Sequence, residues 1–137
     1  MEHKSMSGDF LSRVRFEKNS WIHWEAIRLL RNHEEVQSGF ITEANITRSK
    51  QSKYMRKHGE NFFVALYNEH VIGYVGVVDD DIRFCVDPSY QGLGVGTFLL
   101  ERIKDFFPNA KGRVKKSNFA SISCFNKSGV SYSLIDD

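Results

Sequence analysis

Three alternate glycines stand where a β-rich half of the chain gives way to a helical one, and no other segment restricts the fold as tightly. The segment reads Val86-Asp87-Pro88-Ser89-Tyr90-Gln91-Gly92-Leu93-Gly94-Val95-Gly96-Thr97-Phe98-Leu99-Leu100. Asp87-Pro88 closes a strand, since proline has no N–H to donate to a ladder. From Gly94 to Phe107 the spacing is helical, with Phe98, Leu99, Ile103 and Phe106 on one side and Pro108 as the stop. Glycines that open a helix let backbone N–H groups approach a ligand closely. The unpaired donors and partial positive charge of the first turn select an anion, typically a phosphate. Taken alone, the loop fits a tight turn with close helix–strand packing equally well. Two other phosphate motifs do not fit: no Gly-Lys-Ser/Thr follows, as a Walker loop requires, and the loop comes after a fourth strand rather than the first of a parallel βαβ unit.

The order of elements around the loop sets that context. Leu11 to Phe16 alternates apolar and polar residues and predicts a first strand. Asn19 or Ser20 is placed to cap a helix running to about Asn32, with Trp21, Trp24, Ile27 and Leu30 as its buried stripe. Thr47 to His58 predicts a polar second helix ending near Gly59. Phe62 to Tyr67 and Val71 to Val78 form a hairpin about Asn68-Glu69-His70, and Asp79-Asp80 turns the chain into a strand from Asp81 to Val86. After the glycine helix, Val114 marks a short strand, Asn118 to Lys127 a last helix and Val130 to Ile135 a final strand. The expected fold is α/β, a mixed and mainly antiparallel sheet flanked by about four helices.

Bulk properties narrow the function. The 137 residues suit one domain, read here as residues 1–137. A net charge of +2 without a concentrated basic stripe speaks against nucleic acid as partner. Met1 to Gly8 lacks the apolar stretch of a secretory signal, and the longest apolar run, Val71 to Val78, is far too short to span a bilayer. A reduced, buried Cys85 and Cys124 and a cytoplasmic location follow as expectations. The scattered histidines 3, 23, 33, 58 and 70 suggest no metal.

With its context, the glycine loop resembles that of the GNAT superfamily of N-acetyltransferases, Gln/Arg-x-x-Gly-x-Gly/Ala after the fourth strand and at the start of the third helix. Gln91, Gly94 and Gly96 match it, and Val-Asp-Pro-Ser-Tyr matches the usual lead-in. A second block, Asn118 to Val130, is similar to the family's Asn-x-x-Ala/Ser-x-x-x-Tyr-x-x-x-Gly-Phe. As an element order the resemblance covers roughly residues 10 to 135. Arg31-Asn32-His33-Glu34-Glu35-Val36 is similar to a stretch of the branch acetylating amino-sugar nucleotides and protein N-termini. The resemblance implies acetyl-CoA as acyl donor and a small primary amine as acceptor. It places the CoA pyrophosphate on the backbone of Gln91, Gly92, Leu93, Gly94, Val95 and Gly96, with Thr97. Asn118 would contact the pantetheine arm, and main-chain groups near Cys85 and Val86 would hold the arm and polarise the thioester carbonyl, a form of oxyanion stabilisation.

Two departures stand out. The tyrosine that often protonates the departing sulfur is Phe125 here, at the edge of the cofactor site, so Ser121, one turn after Asn118, or Tyr132 is a candidate replacement. Many relatives also pair a sixth strand with a seventh, whereas this sequence stops at Asp137, a shortened C-terminus that would open the acceptor side or leave an edge for a homodimer partner.

Other residues carry two readings each. Asp81 is a candidate general base by position, against a solvated turn of three aspartates; Glu34 and Glu35 are alternates. Arg83 shares a strand face with Asp81 and Cys85, where it binds an anionic group on the acceptor or simply pairs with Asp81 or Asp87. Trp24, with Trp21, walls the acceptor pocket or, as helical spacing favours, fills the core. Lys111, Arg113, Lys115 and Lys116 form a solvated basic face or attract the CoA 3′-phosphate.

Overall fold

A computed structural model describes residues 9–33, 36 and 45–137. Four strands form an antiparallel meander in the order β1 (Arg15–Lys18), β2 (Phe62–Tyr67), β3 (His70–Val78) and β4 (Asp81–Val86). The β2–β3 hairpin turns through Asn68 and Glu69 at φ 48° and 65°, and the β3–β4 hairpin through Asp79 and Asp80 at 53° and 61°. Positive φ at both central residues is the type I′ geometry, whose twist matches that of the flanking strands. Asp79 and Asp80 are accordingly exposed, while Asp81 already belongs to β4.

Helices cover both faces of this sheet. On one side lie α1 (Trp24–Asn32) and α2 (Arg48–His58); on the other, α3 (Val95–Ile103) and α4 (Phe119–Ser128). β2 alternates accordingly. Phe62, Val64 and Leu66 join Ile27, Leu30 and Met55, while Phe63 and Ala65 join Leu99, Leu100 and Ile103. In β3 the alternation slips, since both Ile72 and Val75 face α3. The register explains it: Ala65 pairs with Gly73 but Leu66 with Val71, so Ile72 is the extra residue of a bulge. A Cβ on Gly73, next to the bulge, would lie 2.8 Å from the Cys85 carbonyl oxygen, so the close approach of β4 needs glycine there.

The second half adds β5 (Gly112–Lys115) and β6 (Tyr132–Ile135), paired in parallel with each other. Their link to the meander is slight. Lys111 N–H donates to Asp80 O at 2.9 Å and Ile82 N–H to Lys111 O at 2.9 Å, and among the described residues no further β4–β5 pairing follows.

The front of the chain differs from the sequence reading. Residues 9–11 are helical, and the first strand starts at Arg15. The helix expected from Asn19 or Ser20 begins as a 3₁₀ turn, Trp21–His23, and becomes α-helical at Trp24; Ser20 makes no capping hydrogen bond. Trp21 is 75% exposed, so the stripe expected to be buried is buried only at Ile27 and Leu30. Glu34 and Glu35 lie outside the described residues.

Candidate active site

Because β5 leaves β4 after one bridge, a gap opens in the sheet beside Phe84, Cys85 and Val86. A cavity of about 690 Å³ runs through it, with Arg113 and Val114 of β5 opposite. Ile82 N–H points toward β5, and peptide groups alternate sides along a strand. The N–H and C=O groups of Phe84 and Val86 therefore also point into the gap. Those of Cys85 turn toward β3, where Cys85 is paired with Tyr74. This corrects the expectation for Cys85: its main chain is taken by the ladder, and Phe84, which the motif did not single out, takes its place beside Val86.

At one end of the cavity sits the glycine loop. Asp87 Oδ1 accepts from Ser89 N–H at 2.9 Å, and a 3₁₀ turn over Pro88–Tyr90 leads to Gln91. Gly92 and Gly94 have φ of 79° and 89°, the left-handed region that glycine enters without strain. The first closing bond of α3 is Phe98 N–H to Gly94 O at 3.0 Å. The N–H groups of Val95, Gly96 and Thr97 precede it and have no partner within the helix. Gln91, Gly92, Gly94, Val95, Gly96 and Thr97 all line the cavity; Leu93 does not. A Cβ on Gly96 would lie 2.6 Å from Cys124 Sγ, so this glycine lets α3 and α4 approach. Backbone donors at a helix start, opening on a cavity of this size, suit a pyrophosphate.

α4 supplies the adjoining wall. Asn118 caps it, its Oδ1 accepting from Ser121 N–H at 3.3 Å, and both residues face the cavity. Phe125 also reaches the cavity but is 2% exposed, edge-on to Phe84 and packed against Tyr132. A Cβ on Gly112 would run into Phe125 Cζ. Tyr132 is not part of the lining: its hydroxyl donates to Asn126 Oδ1 at 2.8 Å. Of the two candidates to replace the missing tyrosine, only Ser121 is at the site.

At the other end of the cavity, on the α1–α2 face of the sheet, the walls are polar and aromatic. Tyr54 of α2, Tyr74 of β3 and Arg31 of α1 line it. Arg31 stacks on the Tyr54 ring at 4.6 Å and donates to Gln51 Oε1 at 2.7 Å. Arg83 Nη1 lies 3.4 Å from the Tyr54 hydroxyl and its Nε 3.4 Å from Asp81 Oδ2. Arg113 Nε and Nη2 meet both oxygens of Asp81 at 3.2 and 3.1 Å, and this carboxylate raises the guanidinium pKa. The basic run is therefore divided: Arg113 belongs to the cavity, while Lys116 pairs at the surface with Asp136. Asp81 is held between two arginines, its carboxylate accepting from both.

Trp24 does not line this cavity. Its carbonyl accepts from Gln51 Nε2 at 2.9 Å, and it borders a separate shallow groove of about 310 Å³ together with Trp21. Besides Phe84, motif reading missed Tyr54 and Tyr74 at this end, and it saw Arg31 only as part of a family-like stretch. A signal existed for Tyr74, which the hairpin register places opposite Cys85; none existed for Tyr54 in so polar a helix.

Neither cysteine is poised as a nucleophile. Burial pushes the Cys85 thiol up, with the charge of Asp87 adding to the effect, and the half-buried Cys124 is also raised. Among the described residues no His/Cys/Asp/Glu group is placed to hold a metal, and no helix is long and apolar enough to cross a membrane.

The split sheet puts a helix-start anion site at one end of the cavity and a polar, aromatic pocket at the other, room for an anionic donor and a second molecule. The GNAT acetyltransferase family profile matches residues 20–130, and the chain belongs to that family. It is an acyl-CoA-dependent N-acetyltransferase whose acyl donor is acetyl-CoA. Solved structures agree on the fold. A spermidine N-acetyltransferase from Vibrio cholerae, determined with CoA and spermine, superposes with a TM-score of 0.72 at 18% identity, over 86% of this chain and 80% of its own. An N-acetyltransferase from Staphylococcus aureus Mu50 gives 0.71 at 19% identity, over 85% and 82%. An aminoglycoside acetyltransferase in complex with coenzyme A gives 0.65 at 18% identity, over 85% and 83%. A search of curated proteins finds no significant match.

Proposed function

We propose that this chain, acting as one domain over residues 1–137, acetylates the primary amine of a small molecule of the amino-sugar-nucleotide kind. In this reading the amine attacks acetyl-CoA directly while both are bound. The observation that carries it is the single cavity that joins the glycine loop to the Tyr54–Tyr74 pocket through the opening between β4 and β5.

The chain's own residues divide the work. The loop from Gln91 to Gly96, with Thr97, holds the pyrophosphate by main-chain donors, and Asn118 flanks the pantetheine arm. Val86 N–H, freed by the strand separation, would stabilise charge developing on the thioester oxygen, a contribution of about 3 kcal/mol where such donors have been removed. The acceptor must arrive as the neutral amine, and its proton leaves through water at the open polar end. Asp81 then acts as a positioning residue for Arg83 and Arg113. CoA thiolate leaves without a phenol at position 125, since ordinary thiols ionise near ~8.5; Ser121 is the hydroxyl nearest in role.

Initial rates measured over a grid of acetyl-CoA and acceptor concentrations test the order of events. Intersecting double-reciprocal lines are expected. Parallel lines, the sign of an acetylated enzyme, would contradict direct transfer.

A further inference from the structure

We propose that the acceptor carries an anionic group, a carboxylate or a phosphate, a few bonds from its amine, and that Arg83 binds it. The proposal rests on the acetyl-transfer reading and specifies its substrate class.

The charge around the cavity is one-sided. Among the described residues lining it, Arg31, Arg83, Arg113 and Lys127 are cationic and Asp81 alone is anionic. Arg83 and Arg113 stand with Asp81 at the end away from the glycine loop, so their charge falls where the acceptor would sit. A polycation entering that end meets guanidinium groups, and one carboxylate already engaged by two of them.

The geometry separates the two arginines. Arg113 forks onto both oxygens of Asp81 at 3.2 and 3.1 Å, a bidentate pair of the strong kind. Arg83 has only longer contacts, 3.4 Å to Asp81 Oδ2 and 3.4 Å to the Tyr54 hydroxyl, and its side chain is 42% exposed to the cavity and solvent. One carboxylate cannot neutralise two guanidinium groups, and Arg83 is the one held less closely. Its planar fork matches a carboxylate or phosphate edge, and the Tyr54 hydroxyl beside it offers a further donor.

The spermidine N-acetyltransferase with which this chain shares its fold was solved with spermine, a polycation. The arginine-bearing pocket here sets the opposite charge requirement.

The test is CoA release, with product mass, over matched amines: the twenty amino acids against their amides, glucosamine against its 6-phosphate, an amino-sugar nucleotide, and spermidine and spermine. Each is run with wild type and Arg83→Gln, and acetyl-CoA affinity is measured for both by calorimetry. The anionic member of at least one pair is expected to exceed its neutral partner in kcat/KM by about tenfold to a hundredfold, the worth of a hydrogen bond to a charged group. Arg83→Gln should erase that difference through KM, with acetyl-CoA affinity unchanged because the glycine loop lies at the other end. Preference for amino acids would identify the anion as a carboxylate; preference for the sugar phosphate or nucleotide, as a phosphate. Equal rates within every pair, acetylation confined to polyamines, an unmoved KM in Arg83→Gln, or no acetylation of any anionic amine by protein that binds acetyl-CoA would each overturn the proposal. Absence of acetyl-CoA binding by wild type would instead overturn the acyl-transfer reading beneath it.

Discussion

Cys85 and Tyr74 face each other across β3 and β4, both buried, and each holds its proton harder than it would in water. Burial is the main cause for both; the charge of Asp87 raises the thiol further and the Tyr74 hydrogen bond offsets part of that, while Cys85 raises the phenol further. The unfolded chain titrates them near ~8.5 and ~10. Because the native values are raised, their contribution to stability is complete below the unfolded values and falls as pH climbs past them. Urea unfolding should therefore give a constant free energy between about pH 7 and 8 and a decline above about 9, each proton adding a slope of about 1.4 kcal/mol per pH unit. Cys85→Ala should remove most of the part that starts near ~8.5, Cys124 supplying the remainder, and leave the phenol's part. A profile flat to pH 10.5 would show that neither group is held neutral. The same protonated thiol makes a poor nucleophile, so Cys85→Ala and Cys124→Ala should each keep turnover within about threefold of wild type in steady-state assays, whereas a catalytic thiol would lose orders of magnitude.

At the scale of elements, the contacts that bring helices and strands together are mostly small residues and side-chain caps. Gly112 of β5 accommodates the Phe125 ring of α4. Gly112→Ala forces that ring to move, and overpacking of this kind costs about 1–3 kcal/mol; chemical denaturation should show it, together with weaker acetyl-CoA binding, because Phe125 also walls the cavity. An unchanged midpoint would mean the ring has room to shift. At the start of α2, Asn32 of α1 exchanges two hydrogen bonds with the Ile46 backbone at 2.7 and 2.8 Å, and Arg28 adds a third to the Ile46 carbonyl at 3.1 Å. Asn32→Ala leaves the Ile46 N–H without that partner, so about 1–3 kcal/mol of stability should be lost. The effect on acceptor KM should exceed that on acetyl-CoA affinity, because α2 carries Tyr54. These contacts also show what could be read from sequence. Strands β2 to β4 and the start of helix α3 were legible because turn residues bounded strongly patterned runs, although α3 ends at Ile103, short of the Phe107 expected from Pro108. The first strand was displaced because Leu11 and Val14 pack inward from a helical turn and its connection, mimicking alternation. Arg31 and Asn32 were legible only as a family-like dipeptide, since their partners, Gln51 and Ile46, lie far along the chain.

For the whole molecule, the decisive feature is a failure of pairing. β4 and β5 share one bridge and then part, and the opening exposes strand peptide groups to a cavity that reaches both faces of the sheet. No local pattern announces it. Strand propensity marks Val114 and Phe84 as strand residues without saying that they do not pair, and the resemblance supplied the position by analogy with the wrong residue of β4 foremost. The glycine loop's conformation, by contrast, was legible, because the positive φ of Gly92 and Gly94 and the close approach of α4 at Gly96 are local demands that glycine meets most easily. The charge balance of the cavity was half legible: Arg83 was visible on its strand, while the fork of Arg113 onto Asp81 needed the fold to bring β4 and β5 together.

The central claim, that the start of α3 holds the acyl donor's pyrophosphate, is tested most directly by titrating acetyl-CoA into wild type and Gly92→Asp in a calorimeter. Gly92 suits the experiment because a Cβ there meets nothing within 4 Å, while its φ of 79° lies in the region that aspartate tolerates better than most residues. The new carboxylate changes the charge beside the loop without crowding the core, and circular dichroism should show an unaltered fold. Wild-type binding that weakens at least about tenfold in the folded variant, the loss of one charge-assisted contact or more, is the predicted result. Equal affinity in the two proteins, or no binding to wild type, would contradict it.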